Sequence, residues 1–195
     1  MLQNLDRSGY FGGSDSKYIM AKNRDTKSFK KWWNIKTGEL ENSGVGTVYT
    51  RAGNLYEHDI LNAIDEEIRP DGQIIYDKYL LRINYDGWKD GTIFEVKTHR
   101  AKNEFKVSKE YWMQCQVEMF VYDKMHDKWF LPPLKELIIV NYPLRDDEYD
   151  VDKPVVYPER IQTQTVKYEK DWVKMEYLPR VKELAKCLKK GVFPT

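Results

Sequence analysis

The sequence predicts an α/β (α+β) fold in which a central mixed β-sheet is flanked by helices. Three observations predict it. Helix start and stop residues mark the first 64 positions, residues 74–98 are rich in β-branched and aromatic side chains, and the remainder alternates helix, strand, helix. A chain of 195 residues suffices for one ordinary domain with a single core. With no internal repeat and no visible boundary, one domain is expected over residues 1–195. Its motif-bearing core would span about 7–141 and its last helix about 167–190.

The elements follow in order. Residues 1–13 read as an irregular arm ending in Gly12-Gly13, with Ser14 as the N-cap of a short helix to about Ala21. A second helix is expected over Lys27 to Thr37, stopped by Gly38. After a polar connection over 38–50, the spacing of Leu55, Ile60, Leu61 and Ile64 fits a third helix, which the turn residues Pro70-Asp71-Gly72 break. The period then changes. Ile74 to Tyr76, Tyr79 to Tyr85 and Thr92 to Thr98 read as strands of a hairpin or meander, with the clearest turn over Asp86 to Gly91. Ser108 would cap a helix running to about Tyr122. Leu137 to Val140 reads as a fully buried strand, residues 143–159 as an acidic surface loop, and Lys167 to Lys190 as a long helix kinked near Pro179.

Composition excludes several classes. Hydrophobic residues make up 41% and charged residues 32%, which is globular and not disordered. No apolar run approaches the roughly 20 residues that span a bilayer, and the first residues carry no secretory pattern, so a cytoplasmic protein is expected. Cys115 and Cys187 are too few for a disulfide scaffold and read as buried thiols. The net charge of +1 conceals a basic stretch, Lys17, Lys22, Arg24, Lys27, Lys30, Lys31 and Lys36 against Asp25, which carries Trp32 and Trp33. It reads either as a nucleic-acid face or as a solvated helix face over buried tryptophans.

The chemistry concentrates in Glu95-Val96-Lys97. Strand alternation puts Glu95 and Lys97 on one face and Val96 on the other. With Asp86 near the end of the preceding strand, two carboxylates can hold a hard divalent cation. Such a cation polarises a phosphoryl oxygen and lowers the pKa of bound water, and a lysine beside it orients that water or stabilises developing charge. Glu-x-Lys alone is common on exposed strands, so the wider context decides.

Asp86 followed by Glu95-Val96-Lys97 resembles the Asp…Glu-x-Lys signature of the PD-(D/E)xK nuclease superfamily. Four further stretches resemble one branch of it, the YqaJ-like viral recombinases related to the phage lambda exonuclease. These are Phe11-Gly12-Gly13-Ser14-Asp15, Lys36-Thr37-Gly38, Gly53-Asn54-Leu55-Tyr56-Glu57 and Tyr111-Trp112-Met113-Gln114. The resemblance covers about residues 7–122 and does not extend into the final third. It implies a restriction-endonuclease-like core and a metal-dependent exonuclease that degrades double-stranded DNA 5′ to 3′ in phage-type recombination. It implies Mg²⁺ as cofactor, with Mn²⁺ as substitute. Asp86, Glu95 and the Val96 backbone carbonyl would ligate the metal, with Glu57 supporting a second metal or its waters. Lys97 would act on the attacking water. Gln114 would contact the cleaved strand with Tyr111 packed beside it, and Arg7 and Ser14 would hold a terminal 5′ phosphate. Double-stranded DNA ends, a single-strand annealing protein and a ring-forming second copy are the implied partners, although no sequence feature fixes the oligomeric state. Two other readings stay open: a structure- or sequence-selective endonuclease on the same scaffold, and a non-catalytic DNA-binding module. His58, His99 and His126 have no metal-ligand spacing among themselves and are read as surface or supporting residues.

Overall fold

The structure, a computed structural model, describes residues 8–41 and 46–194. A five-stranded sheet in the order β1-β2-β3-β4-β5 lies between helices on both faces. Its strands are β1 (Arg69–Tyr76), β2 (Leu81–Lys89), β3 (Thr92–Arg100), β4 (Glu136–Leu144) and β5 (Gln162–Val166). β3 and β4 pair in parallel and every other neighbouring pair is antiparallel, so the sheet is mixed, as the sequence predicts.

Two short helices, α1 (Ser16–Ile19) and α2 (Lys27–Thr37), open the fold. Thr26 caps α2 by accepting the Phe29 N–H at 3.2 Å, and Gly38 closes it in the left-handed region. Helix α3 (Val48–Ile64) starts seven residues earlier than its apolar spacing suggests, because Thr47 caps it by accepting the Thr50 N–H at 3.3 Å. Helix α4 (Lys109–Met125), capped by Ser108, makes the crossover that a parallel β3–β4 pair requires. The final helix comprises α5 (Lys170–Trp172), a π-helical segment over Val173–Tyr177, and α6 (Leu178–Lys190). The π segment lies just before Pro179 and provides the expected interruption.

Two cores result. On one face, α2, α4 and α6 bury Phe29, Trp32, Trp33, Cys115, Val117, Met119, Val181 and Leu184 against Ile83, Ile93, Leu137 and Ile139. On the other, α3 buries Ala52, Tyr56, Ile60 and Leu61 against Phe94, Val96, Val140 and Tyr142. Trp32 and Trp33 are therefore core residues, and Lys36 of the basic stretch is buried with them. Cys115 is buried as expected, and Cys187 is half-buried.

Four further sequence expectations change. Pro70-Asp71-Gly72 lies inside β1, where Asp71 adopts a positive φ of 60° and the ladder to β2 steps from Pro70↔Gly87 to Gly72↔Tyr85. β2 continues to Lys89, and the hairpin closes at Asp90-Gly91 with φ of 49° and 86°. Two successive positive φ values match the right-handed strand twist. β5 occupies the stretch before the last helix, where its exposed, polar residues give no apolar alternation to read. Ser14, expected as a cap, is an exposed residue inside a single 3₁₀ turn, Gly13–Asp15.

Asp15 organises the amino-terminal region. It accepts the Gly12 N–H at 2.7 Å and the Trp32 indole N–H at 2.7 Å, and pairs with Lys36 Nζ at 2.6 Å. Lys36 is 3% exposed and Asp15 8%. Removing one partner of such a pair strands the other charge. Lys36→Ala should therefore lower unfolding free energy by about 3–5 kcal/mol in urea titrations. A loss below about 1 kcal/mol would class the pair with exposed ion pairs.

Candidate active site

β2 and β3 pair only over Gly87↔Phe94, Trp88↔Ile93 and Lys89↔Thr92. Beyond that point β2 pairs with β1 and β3 with β4. Where the strands part, the Asp86 carboxylate accepts the Val96 N–H at 2.7 Å through Oδ2, replacing a ladder bond. The same parting gives access from both sheet faces. Strand alternation sends Val96 into the α3-side core and sends Glu95 and Lys97 towards α4.

On the α4 side the groups are joined directly. Lys97 Nζ pairs with Glu95 Oε1. Gln114 Nε2 donates to Glu95 Oε1 at 2.6 Å and to Glu118 Oε1 at 2.8 Å. Gln114 and Glu118 are four residues apart on α4 and share a face. The Tyr111 ring lies 5.1 Å from Lys97 Nζ and stacks on Phe105, with centroids 6.4 Å apart. Phe105 also contacts the ring of His99. From the other side, α3 presents Glu57.

The charges explain one another. Burial first, then Glu95, pushes the Glu57 carboxyl up to about 7. Burial, then Glu95 and Glu57, holds Asp86 well above the usual carboxylate range, against the pull of Lys97 and the Val96 N–H. Glu118 is raised by burial and then by Glu95. For Lys97 burial opposes the charge, yet Glu95 and Asp86 keep its ammonium above the ordinary lysine range. Four carboxylates thus crowd around one ammonium in a partly desolvated site. The buried Glu118 Oε2 has no hydrogen-bond partner among the described residues. A surplus of hard oxygen donors with an orphaned buried oxygen fits a divalent cation such as Mg²⁺ or Mn²⁺.

Asp86, Glu95, Lys97, Glu57, Gln114 and Tyr111 therefore gather in one place, with the Val96 backbone beside them. Ser14 follows Gly13, whose Cα packs so tightly on α4 that a Cβ there would lie 2.8 Å from Glu118 Oε1 and 3.2 Å from Gln114 Cγ. Arg7 lies outside the described residues. Two features escape the sequence reading. Glu118 sits in the middle of a helix whose other faces are apolar, and only its four-residue spacing from Gln114 marks it. Asp71, read as a turn residue, joins Glu57 and His58 in a group whose ligand-capable atoms all lie within 4.8 Å of one another, with His58 Nε2 3.1 Å from Asp71 Oδ2.

No family model and no curated protein matches the sequence. Solved structures do match the fold. An alkaline exonuclease, LHK-Exo from Laribacter hongkongensis, aligns with a TM-score of 0.60 at 15% identity, over 94% of this chain and 93% of that one. The same enzyme in complex with dAMP aligns with a TM-score of 0.65 at 15% identity, over 94% and 89%. A phage-related exonuclease from Haemophilus somnus 129PT aligns with a TM-score of 0.57 at 14% identity, over 93% and 92%. At these identities the likeness is one of fold.

A carboxyl group raised by folding stabilises the native state only while protonated. The Glu57 contribution is therefore complete below the ordinary carboxylate range and is lost as pH rises through about 7. Thermal melts in EDTA should show wild type losing stability relative to Glu57→Gln between about pH 5 and pH 8. A difference between the two proteins that stays constant across that window would overturn the charge assignment at Glu57.

Proposed function

We propose that this chain is a metal-dependent deoxyribonuclease, an exonuclease that acts on double-stranded DNA ends and proceeds 5′ to 3′. The observation that carries the reading is the constellation of buried Glu95 with half-buried Asp86, Lys97 and Gln114 at the parting of β2 and β3, with Glu57 reaching in from α3. The order of motifs along the chain supports it, as does a fold shared with an alkaline exonuclease and a phage-related exonuclease.

Asp86, Glu95, the Val96 carbonyl and Glu57 would hold Mg²⁺ or Mn²⁺. When bound, the cation supplies polarisation of the scissile phosphoryl oxygen and a water of lowered pKa. The remaining work falls to the chain's own side chains. Lys97, held cationic by Glu95 and Asp86, is a poor base. It orients the attacking water by donating to it and offsets the negative charge that develops on the phosphoryl oxygens. Gln114 fixes Glu95 through its amide N–H, which leaves its carbonyl oxygen to accept from a base N–H or a bound water at the cleaved strand. Tyr111 packs against the Lys97 ammonium and limits its motion.

End recognition is the finer part of the proposal. Ser14 stands at the rim, one residue from the Gly13 that touches Glu118 and Gln114, and with Arg7 it would take a 5′ phosphate by charge-assisted hydrogen bonds. Acting in a cytoplasm, such an enzyme would leave a single strand for an annealing partner, and ring assembly of several copies would make it processive. Among the described residues no helix is long and apolar enough to cross a membrane.

One digestion assay tests the core of this reading. Linear duplexes with a 5′ phosphate or a 5′ hydroxyl, and closed circular DNA, are compared with Mg²⁺, with Ca²⁺ and in EDTA. Linear DNA should be degraded with Mg²⁺ only, and the phosphorylated duplex about tenfold faster, an effect of ~1.4 kcal/mol. Turnover in EDTA would remove the metal, and cutting of closed circles would transfer the assignment to an endonuclease. Lys97→Ala should abolish most turnover while duplex affinity stays near wild type, because the ammonium acts on charge that develops during the reaction. Digestion by that variant within about threefold of wild type, ~0.65 kcal/mol, removes Lys97 from the chemistry.

A further inference from the structure

The mechanism above leaves one buried carboxylate without a task. Glu118 is 1% exposed in the middle of α4. Its backbone is anchored by the Tyr85 hydroxyl, which donates to the Glu118 carbonyl at 3.0 Å. Its side chain is walled in by Gly13, where a Cβ would come within 2.8 Å of Oε1. Oε1 accepts the Gln114 amide at 2.8 Å. The same Gln114 nitrogen donates to Glu95 at 2.6 Å, so a single amide separates Glu118 from a proposed metal ligand. Oε2 is buried and has no partner among the described residues.

A buried oxygen of this kind carries a desolvation cost of several kcal/mol if it stays charged and unpaired. Nothing among the described residues relieves it. The Lys97 ammonium of this site already pairs with Glu95, and Glu118 is closed from solvent, with Gly13 against Oε1. Two reliefs remain: a proton, or a cation with its coordinated waters. The setting favours the second, because the oxygen lies on the same α4 face as Gln114, which bonds Glu95, and hard divalent cations hold waters that donate to nearby carboxylates.

We propose that Glu118 is a further cation-directed residue of this site. Its Oε2 receives a divalent cation, Mg²⁺ or Mn²⁺, directly or through a water on that cation, while its Oε1 sets the orientation of Gln114. The inference rests on the metal-centre reading above and extends it. Glu118 makes cation affinity depend on α4, so the helix that presents Gln114 to the substrate is also drawn to the loaded metal. The acidic set becomes Glu57, Asp86, Glu95 and Glu118, drawn from α3, β2, β3 and α4.

The test measures Mn²⁺ binding to the full chain without DNA, by calorimetry and by the electron paramagnetic resonance signal of free Mn²⁺. Glu118→Gln keeps the size of the side chain and an oxygen for Gln114, and removes only the charge. Its Mn²⁺ affinity should fall about tenfold or more, the scale seen when partners of metal ligands are lost. The rise in melting temperature on adding Mn²⁺ should shrink in step. Asp86→Asn is the control and should lose Mn²⁺ binding more severely. If Glu118→Gln binds Mn²⁺ as wild type does while Asp86→Asn does not, Glu118 carries a proton and serves Gln114 alone, and the proposal is overturned. If wild type and both variants bind equally, or none binds, the metal centre fails and the proposal fails with it. Should Glu118→Gln not fold, Glu118→Asp and Glu118→Asn replace it, a pair of equal size that differs in charge. Tighter Mn²⁺ binding by the aspartate variant supports the proposal, and equal binding overturns it.

Discussion

The hydrogen bond from the Val96 N–H to the Asp86 carboxylate is the interaction on which the site depends. Two antiparallel strands ordinarily spend their facing N–H and C=O groups on each other. Here the β2–β3 ladder stops at Gly87↔Phe94, and an N–H that would otherwise be orphaned is satisfied by a side chain. A carboxylate has acceptor capacity to spare after one such bond. Asp86 can therefore hold the strands at a fixed separation and still offer its other oxygen to a ligand. The opening it props apart lets Glu57 approach from the α3 face while Glu95 and Lys97 point to α4.

The remaining features follow from crowding acids into that opening. Folding forces Glu57, Asp86, Glu95 and Glu118 close together at low solvent exposure, with Lys97 as their ammonium. Uncompensated, this arrangement opposes folding, as the raised Glu57, Asp86 and Glu118 carboxyls record. The scaffold around it is correspondingly firm. α4 is buried over most of its circumference, and the Asp15–Lys36 pair ties the amino-terminal turn to α2 under Trp32. A site that crowds like charges together needs walls that do not relax.

Much of this is legible in the sequence, and the parts that are not share a physical cause. The mixed sheet, the α4 helix and the shared face of Glu95 and Lys97 can be read because strand alternation and caps are local signals, whereas Gln114 and Glu57 are singled out only by the resemblance of their motifs. The start of α3 is missed because Thr47 acts as a cap in a polar stretch, where apolar periodicity has nothing to report. β5 is missed because an edge strand with exposed Gln and Thr side chains lacks alternation. Asp71 reads as a turn residue because Pro-Asp-Gly has strong turn chemistry, yet β1 absorbs its positive φ within a continuous strand. Trp32 and Trp33 lie among lysines, so charge composition alone leaves their direction open; packing of Trp32 against Phe11, Tyr18 and Phe29, and of Trp33 against Trp32 and Phe193, decides it.

Glu118 shows the same limit from the other side. A glutamate in the middle of a helix ordinarily marks a solvated face, and its neighbours Val117 and Met119 give no sign to the contrary. Two distant contacts enclose it, Gly13 closing over Oε1 and Tyr85 holding the backbone, and Gln114 bonds Oε1 from one helical turn earlier. Only the last is a spacing within α4 itself. Gly13, which the sequence presents as the end of an irregular arm, is required for a different reason: a Cβ there would lie 2.8 Å from Glu118 Oε1, where the turn meets α4. The turn that carries Ser14 and the helix that carries Gln114 and Glu118 are thus in direct contact. A ligand taken up at the amino-terminal rim and a cation taken up by the acidic set would act on the same two packed elements.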